Sequence, residues 1–129
     1  EYDYYTTTKG VLEKVKAHVD DVDFAVQPEV LSLLSSGNFG RYADEKGEMK
    51  VCFISNNDIT GGNSGSAMFN SKGELLGLAF DGNWEAMGSD ILYEPKMQRT
   101  IGVDVRYILF MIEKYGKAGN LIQELNILN

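Results

Sequence analysis

The stretch Thr60-Gly61-Gly62-Asn63-Ser64-Gly65-Ser66 decides how this chain is read. It follows an apolar run, Val51 to Ile54, and a polar connector, Ser55-Asn56-Asn57-Asp58. A second apolar run, Ala67-Met68-Phe69, comes after it. A serine set among glycines, between one strand and the next, is a common way to present an acyl-transfer nucleophile. The substrate carbonyl must come within bonding distance of the Ser64 oxygen, so neighbouring side chains have to be absent. Glycine also tolerates the dihedrals that aim adjacent N–H groups in one direction. The N–H groups of Gly62 and Ser64 could then donate to the oxyanion of a tetrahedral intermediate. The same composition also suits a hairpin turn with no chemistry. On the loop alone both readings stay open. A phosphate-cradling loop fits poorly, because the P-loop lysine is missing and a strand rather than a helix follows.

The chain has 129 residues, enough for one domain with a modest core. Its composition, 43% hydrophobic and 24% charged, is that of an ordinary globular protein. No apolar run is long enough for a helix to span a bilayer. The formal net charge of −7 and pI near 4.6 repel polyanions, so nucleic acid is not an expected partner. The single cysteine, Cys52, lies in the apolar run, cannot form an internal disulfide and reads as a small buried hydrophobe. The first residue is Glu1 rather than Met, so the expectation is a processed or excised piece.

Outward from the loop, Lys50 to Ser55 and Ser66 to Phe69 read as strands. Asn70-Ser71-Lys72-Gly73 is a tight turn, and Glu74 to Phe80 is the return strand, broken by Asp81-Gly82-Asn83. Trp84 to Gln98 is an irregular excursion, and Arg99 to Asp104 is a further strand. Val105 to Tyr115 is the clearest helix, with Val105, Ile108, Leu109, Met111 and Ile112 on its apolar face and Gly116 as its stop. A last helix is expected over Asn120 to Leu128. Upstream, Pro28 and Glu29 open a helix whose apolar face is Val30, Leu31, Leu33 and Leu34, ending at Gly37. Val11 to Val19 has helical spacing, with Gly10 as punctuation before it. Glu1 to Thr8 is aromatic and β-prone but short, and is expected to pack against something outside this chain. Asp20-Asp21-Val22-Asp23 reads as a solvated acidic connector. His18 has no ligand-spaced partner, so no metal is expected.

The succession of nucleophile loop, strand, hairpin, strand, long loop, strand and helix resembles the second barrel of a chymotrypsin-like serine protease. A closer resemblance lies in Asp58-Ile59-Thr60-Gly61-Gly62-Asn63-Ser64-Gly65-Ser66 and in Gly77-Leu78-Ala79-Phe80-Asp81-Gly82-Asn83-Trp84-Glu85-Ala86-Met87. Gln98-Arg99-Thr100-Ile101, Val103-Asp104-Val105-Arg106-Tyr107 and Leu125 fit as well. Together they resemble the bacterial serine dipeptidyl-peptidase family that includes dipeptidyl-peptidases 7 and 11 and dipeptidyl aminopeptidase B-II. The likeness runs from Phe39 to Leu125 and is weaker before it. Ala67 departs from the proline expected after Ser-Gly-Ser, and Gly88-Ser89 is inverted relative to the usual order.

The resemblance implies a mainly β fold with helices (α+β), the C-terminal half of a chymotrypsin-like double β-barrel ending in helices. It implies a lead-in over 1–49, a barrel portion over 50–104 and C-terminal helices over 105–129. Ser64 is then the catalytic nucleophile, with Gly62 and Ser64 forming the oxyanion hole. The general-base His and orienting Asp lie upstream of this chain, His18 matches no family motif, and the chain alone is expected to be inactive. Asp81 reads the substrate's α-ammonium group, or else merely starts a turn. Gly82 replaces the basic residue of acid-preferring members, which leaves a neutral pocket for an apolar residue beside Phe80. Trp84 is a further candidate for the cleft lining, against the alternative that it and Phe80 are core. Asn63 replaces the acid that pairs with a new N-terminus in zymogen activation, so the site is expected to be organised by hydrogen bonds. No cofactor is implied. Peptide substrates and the rest of the same polypeptide are the expected partners, with homodimerisation a further option and the periplasm or cell surface the expected location. An acid-preferring dipeptidyl-peptidase and a non-catalytic interaction domain remain the alternatives.

Overall fold

The computed structural model describes residues 4–88, 94 and 96–128. The chain divides into two compact units, Glu1–Thr6 with Val51–Val105, and Thr7–Lys50 with Arg106–Asn129.

The first unit is built on a five-stranded sheet in the order β1-β2-β5-β4-β3. Its strands are β1 (Tyr5–Thr7), β2 (Lys50–Ser55), β3 (Ala67–Phe69), β4 (Leu75–Gly82) and β5 (Thr100–Asp104). The described part of the tyrosine- and threonine-rich start, Tyr4 to Thr7, therefore has its partner within the chain, in β2, while Thr8 opens a helix. The Ile54 N–H donates to the Tyr4 carbonyl at 2.9 Å, and the Cys52 N–H donates to Thr6 Oγ1 at 3.2 Å. β2 with β5, β5 with β4 and β4 with β3 pair antiparallel. Residues directly opposite one another share a face. One face carries Phe53, Gly102 and Ala79, with Met68, Gly77 and Asp104 in the next row. Met68, Gly77, Ala79, Gly102 and Asp104 on it are buried. Its glycines answer to space rather than to dihedral preference. A Cβ on Gly77 would lie 2.9 Å from the Phe53 ring, and one on Gly102 would lie 2.8 Å from it. The other face carries Cys52, Val103, Leu78 and Ala67 in one row and Ile54 with Ile101 in another. It is apolar but only half-buried, with Ala67 exposed. Burial still raises the Cys52 thiol above its ordinary range.

The turn between β3 and β4 forms at Asn70–Gly73 as its residues dictate. Asn70 Oδ1 accepts from the N–H groups of Lys72 and Glu74 at 2.9 and 3.0 Å, and Gly73 takes a positive φ of 78°. β4 does not break at Asp81. It runs on through Gly82 by way of a bulge, with Ala79 opposite Gly102 and Asp81 opposite Ile101.

The second unit is helical. α1 (Thr8–Ala17) begins before Gly10, so that glycine sits inside a helix rather than punctuating one. α2 (Pro28–Ser35) opens on its proline, and Gly37 follows at φ +67°. α3 (Val105–Phe110) passes into a π-helical turn at Met111–Tyr115 instead of continuing as one α-helix. α4 (Gly119–Glu124) is shorter than the periodicity suggests. Phe39 and Tyr42 pack edge-on against Phe110, with ring centroids 5.7 and 6.1 Å away. These three rings are buried, as are Leu34, Met49, Leu109 and Ile122. The Tyr42 hydroxyl donates to Glu113 Oε2 at 2.6 Å. His18 stacks on Phe24 at 4.2 Å, and Asp21 accepts from the Asp23 N–H at 3.0 Å, which folds the acidic connector into a short turn.

Candidate active site

Two strands, β5 and β4, hold the candidate nucleophile loop. At its entry, Thr100 Oγ1 on β5 donates to the Asn57 carbonyl at 2.7 Å. At its exit, the Gly65 N–H donates to the Ala79 carbonyl at 2.7 Å and the Ala79 N–H donates to the Ser66 carbonyl at 2.8 Å. The loop is thus laced to β4 one residue before the bulge. Within it the Asn63 N–H donates to the Thr60 carbonyl at 3.2 Å, and the Ser66 N–H to the Asn63 carbonyl at 2.9 Å. Asn63 Oδ1 accepts from the Thr60 N–H at 2.9 Å, so its side chain folds back to brace the loop. Gly62 and Gly65 have φ of +94° and +87°, values an L side chain rarely adopts.

Ser64 is exposed at the loop tip. Its Oγ donates to the Phe80 carbonyl at 3.3 Å, long for an O–H···O bond and cheap to break. Among the described residues, neither the Gly62 nor the Ser64 N–H has a hydrogen-bond partner. The hydroxyl and these two donors sit within three consecutive residues of one loop.

The bulge decides what faces the loop. Phe80 is the extra residue, opposite nothing on β5. In a regular strand Ala79 and Asp81 would share a face. The inserted residue turns Asp81 to the opposite, open face, in the row of Ile101. Asp81 is exposed, and its Oδ1 accepts from the Gly82 N–H at 2.8 Å. Phe80 and Trp84 are not core residues. They are 54% and 82% exposed, on either side of Asp81-Gly82.

Sequence reasoning missed Asn83. Its N–H donates to the Arg99 carbonyl at 2.9 Å, and its Oδ1 accepts from the Arg99 N–H at 2.8 Å. Its Nδ2 donates to the Met97 carbonyl and to Glu85 Oε2, both at 2.8 Å. One side chain therefore ties the end of β4 to the entry of β5 and to the 3-10 turn at Trp84–Gly88. An asparagine after Asp-Gly is its only local signal, and that signal reads as a turn. Gly88-Ser89 lies partly outside the described residues. Among the described residues no cluster of His, Cys, Asp or Glu could hold a metal ion, and no helix is long and apolar enough to cross a membrane.

The peptidase S46 family model matches residues 1–127. A dipeptidyl-peptidase 7 from Porphyromonas endodontalis is 60% identical over 98% of this chain, and one from Porphyromonas gingivalis is 58% identical over 98%. An Asp/Glu-specific dipeptidyl-peptidase from Porphyromonas gingivalis is 46% identical over 98% of the chain. The crystal structure of Porphyromonas endodontalis DPP11 in complex with dipeptide Arg-Glu superposes with a TM-score of 0.88 at 43% identity, over 95% of this chain and 17% of that one. The chain spans only 15% and 17% of the lengths of the two dipeptidyl-peptidases 7. With a family model matched along nearly its whole length, the chain belongs to the peptidase S46 family.

Proposed function

We propose that this chain is the serine-bearing segment of a longer dipeptidyl aminopeptidase, which releases dipeptides from peptide N-termini and prefers an apolar residue before the scissile bond. The observation that carries the reading is the loop tip: Ser64 exposed, its Oγ only loosely engaged, and the Gly62 and Ser64 N–H groups without hydrogen-bond partners among the described residues. Ser64 Oγ attacks the carbonyl carbon, and the resulting oxyanion accepts hydrogen bonds from the two N–H groups. The proton leaves Oγ for a general base supplied by the rest of the polypeptide, together with its orienting acid. Alone, this chain keeps only the small part of the rate due to oxyanion donors and binding.

Asp81, turned outward by the bulge, receives the substrate's free α-ammonium group in a charge-assisted hydrogen bond. Gly82 leaves the adjoining pocket without charge, and Phe80 lends it apolar surface. The half-buried apolar face of the sheet, from Cys52 to Ala67, supports a place in a barrel completed by the remainder of the polypeptide. That arrangement is the chymotrypsin-like double barrel, in the periplasm or at the cell surface. The identity of 60% to a dipeptidyl-peptidase 7 against 46% to an Asp/Glu-specific enzyme also favours the apolar preference.

The test is steady-state hydrolysis by the full-length protein of fluorogenic dipeptides ending in Leu, Phe, Asp or Glu. Leu and Phe substrates are expected to give the higher kcat/KM, in a graded way, because a hydrophobic pocket discriminates by about 1–3 kcal/mol per methylene. Faster turnover of the acidic substrates would assign the protein to the acid-preferring group instead.

A further inference from the structure

Gly82 has no positive φ, so its backbone would accept any residue. The space around it would not. A Cβ placed there would lie 2.9 Å from Ala86 Cβ, 3.4 Å from Ile59 Cγ2 and 3.7 Å from the Arg99 carbonyl oxygen. Carbon atoms pack best at about 3.5–4.0 Å, so the first of these contacts is repulsive. Ala86 is poorly placed to retreat. Its N–H donates to the Asn83 carbonyl at 2.9 Å, and Asn83 is pinned to Arg99 and Met97 by its backbone and its side chain. Ile59 stands immediately before the nucleophile loop. The side-chain space of residue 82 is thus filled from the 3-10 turn on one side and from the loop entry on the other.

We propose that position 86 is a second specificity-determining site, sterically coupled to position 82. The Ala86 methyl occupies the volume that a side chain at 82 would need, and it forms a small apolar wall together with Ile59. A basic residue at 82 reaches the pocket only when residue 86 lacks its Cβ or the turn is displaced. A change of preference from apolar to acidic substrates therefore takes two substitutions rather than one. The inference rests on the assignment of Gly82 to the substrate pocket made above. The coupling itself can be read without any catalysis.

Two measurements on the full-length protein test it. The first is hydrogen exchange of the backbone from residue 82 to 86 in Gly82→Ala, Ala86→Gly and the double variant. Exchange is expected to rise at least ~10-fold in Gly82→Ala and to return most of the way in the double variant, as local opening is relieved. Equal exchange in Gly82→Ala and the parent, or no relief in the double variant, would overturn the coupling. The second is the ratio of kcat/KM for Glu-ending over Leu-ending dipeptides in Gly82→Arg and in Gly82→Arg/Ala86→Gly. The double variant is expected to exceed the single one by about 10-fold or more, the size of discrimination a reshaped pocket supports. A single Gly82→Arg that matches the double would overturn the proposal. Relief of exchange in the double variant, together with a parent protein that hydrolyses no dipeptide, would overturn the functional reading, and the specificity role with it.

Discussion

At the residue scale the account turns on Ser64 and on the glycine two places before it. Ser64 lies in a loop whose shape is set by two left-handed glycines and one inward-folded asparagine. Replacing Ser64 by Ala in the full-length protein is expected to lower kcat by ~10⁴-fold or more, with the fold unchanged by circular dichroism. Gly62→Ala is a finer probe. It forces a side chain into φ +94°, and the donor of residue 62 has to swing away. Activity is expected to drop ~10²-fold through kcat rather than KM, the usual cost of one oxyanion donor. Wild-type kcat in Gly62→Ala would remove that N–H from the mechanism.

At the element scale the bulge in β4 and the ties around it do the positioning. Thr100 is buried, and its hydroxyl fixes the Asn57 carbonyl ahead of the loop. Thr100→Val keeps the shape and deletes the bond, a loss of about 1 kcal/mol. The loop should then label more slowly with a fluorophosphonate while the protein remains folded. In the helical unit, Tyr42 and Glu113 form a tie with a pH signature. Burial first, and then the bond to Glu113, push the Tyr42 hydroxyl from 10.0 up to about 12. Hydrogen bonds from Lys114 and Tyr42 hold the Glu113 carboxyl below its ordinary 4.5. The raised phenol stabilises the fold fully below pH 10.0, and that contribution is lost as pH rises through about 12. The lowered carboxyl contributes above pH 4.5, and that contribution is lost as pH falls below this value. Tyr42→Phe should therefore flatten the alkaline limb of a plot of melting temperature against pH, and an unaltered limb would exclude the tie.

These elements also show where a sequence stops being legible. The glycine-rich loop around Ser64, the Asn70–Gly73 hairpin, the helix opening at Pro28 and the strands around them follow from local chemistry: glycine dihedrals, turn-forming asparagine and alternating apolar residues. The bulge does not, because one extra residue in a strand changes no composition. Asn83 is opaque for a different reason, since its partners Met97 and Arg99 lie 14 and 16 residues on. Tyr42 and Glu113, 71 positions apart, are farther still. The partner of β1 was likewise hidden, because three residues carry too little pattern to indicate what they pair with. Ser64, Asp81 and Gly82 are candidates that the sequence alone proposes. The turn of Asp81 to the open face and the crowding behind Gly82 needed coordinates.

At the scale of the whole molecule, a chain covering 15–17% of its dipeptidyl-peptidase 7 relatives carries the proposed nucleophile, Ser64, but no imidazole among the residues proposed for the site. Expressed by itself and kept monomeric, it should leave a dipeptidyl reporter intact, whereas the full-length protein should cleave it. The central claim, that the Ser64 hydroxyl is the attacking group, is tested most directly by treating the full-length protein with a fluorophosphonate and mapping the adduct by peptide mass spectrometry. The account predicts a single adduct on Ser64, lost in Ser64→Ala. An active protein with no adduct, or with its adduct on another residue, would contradict it.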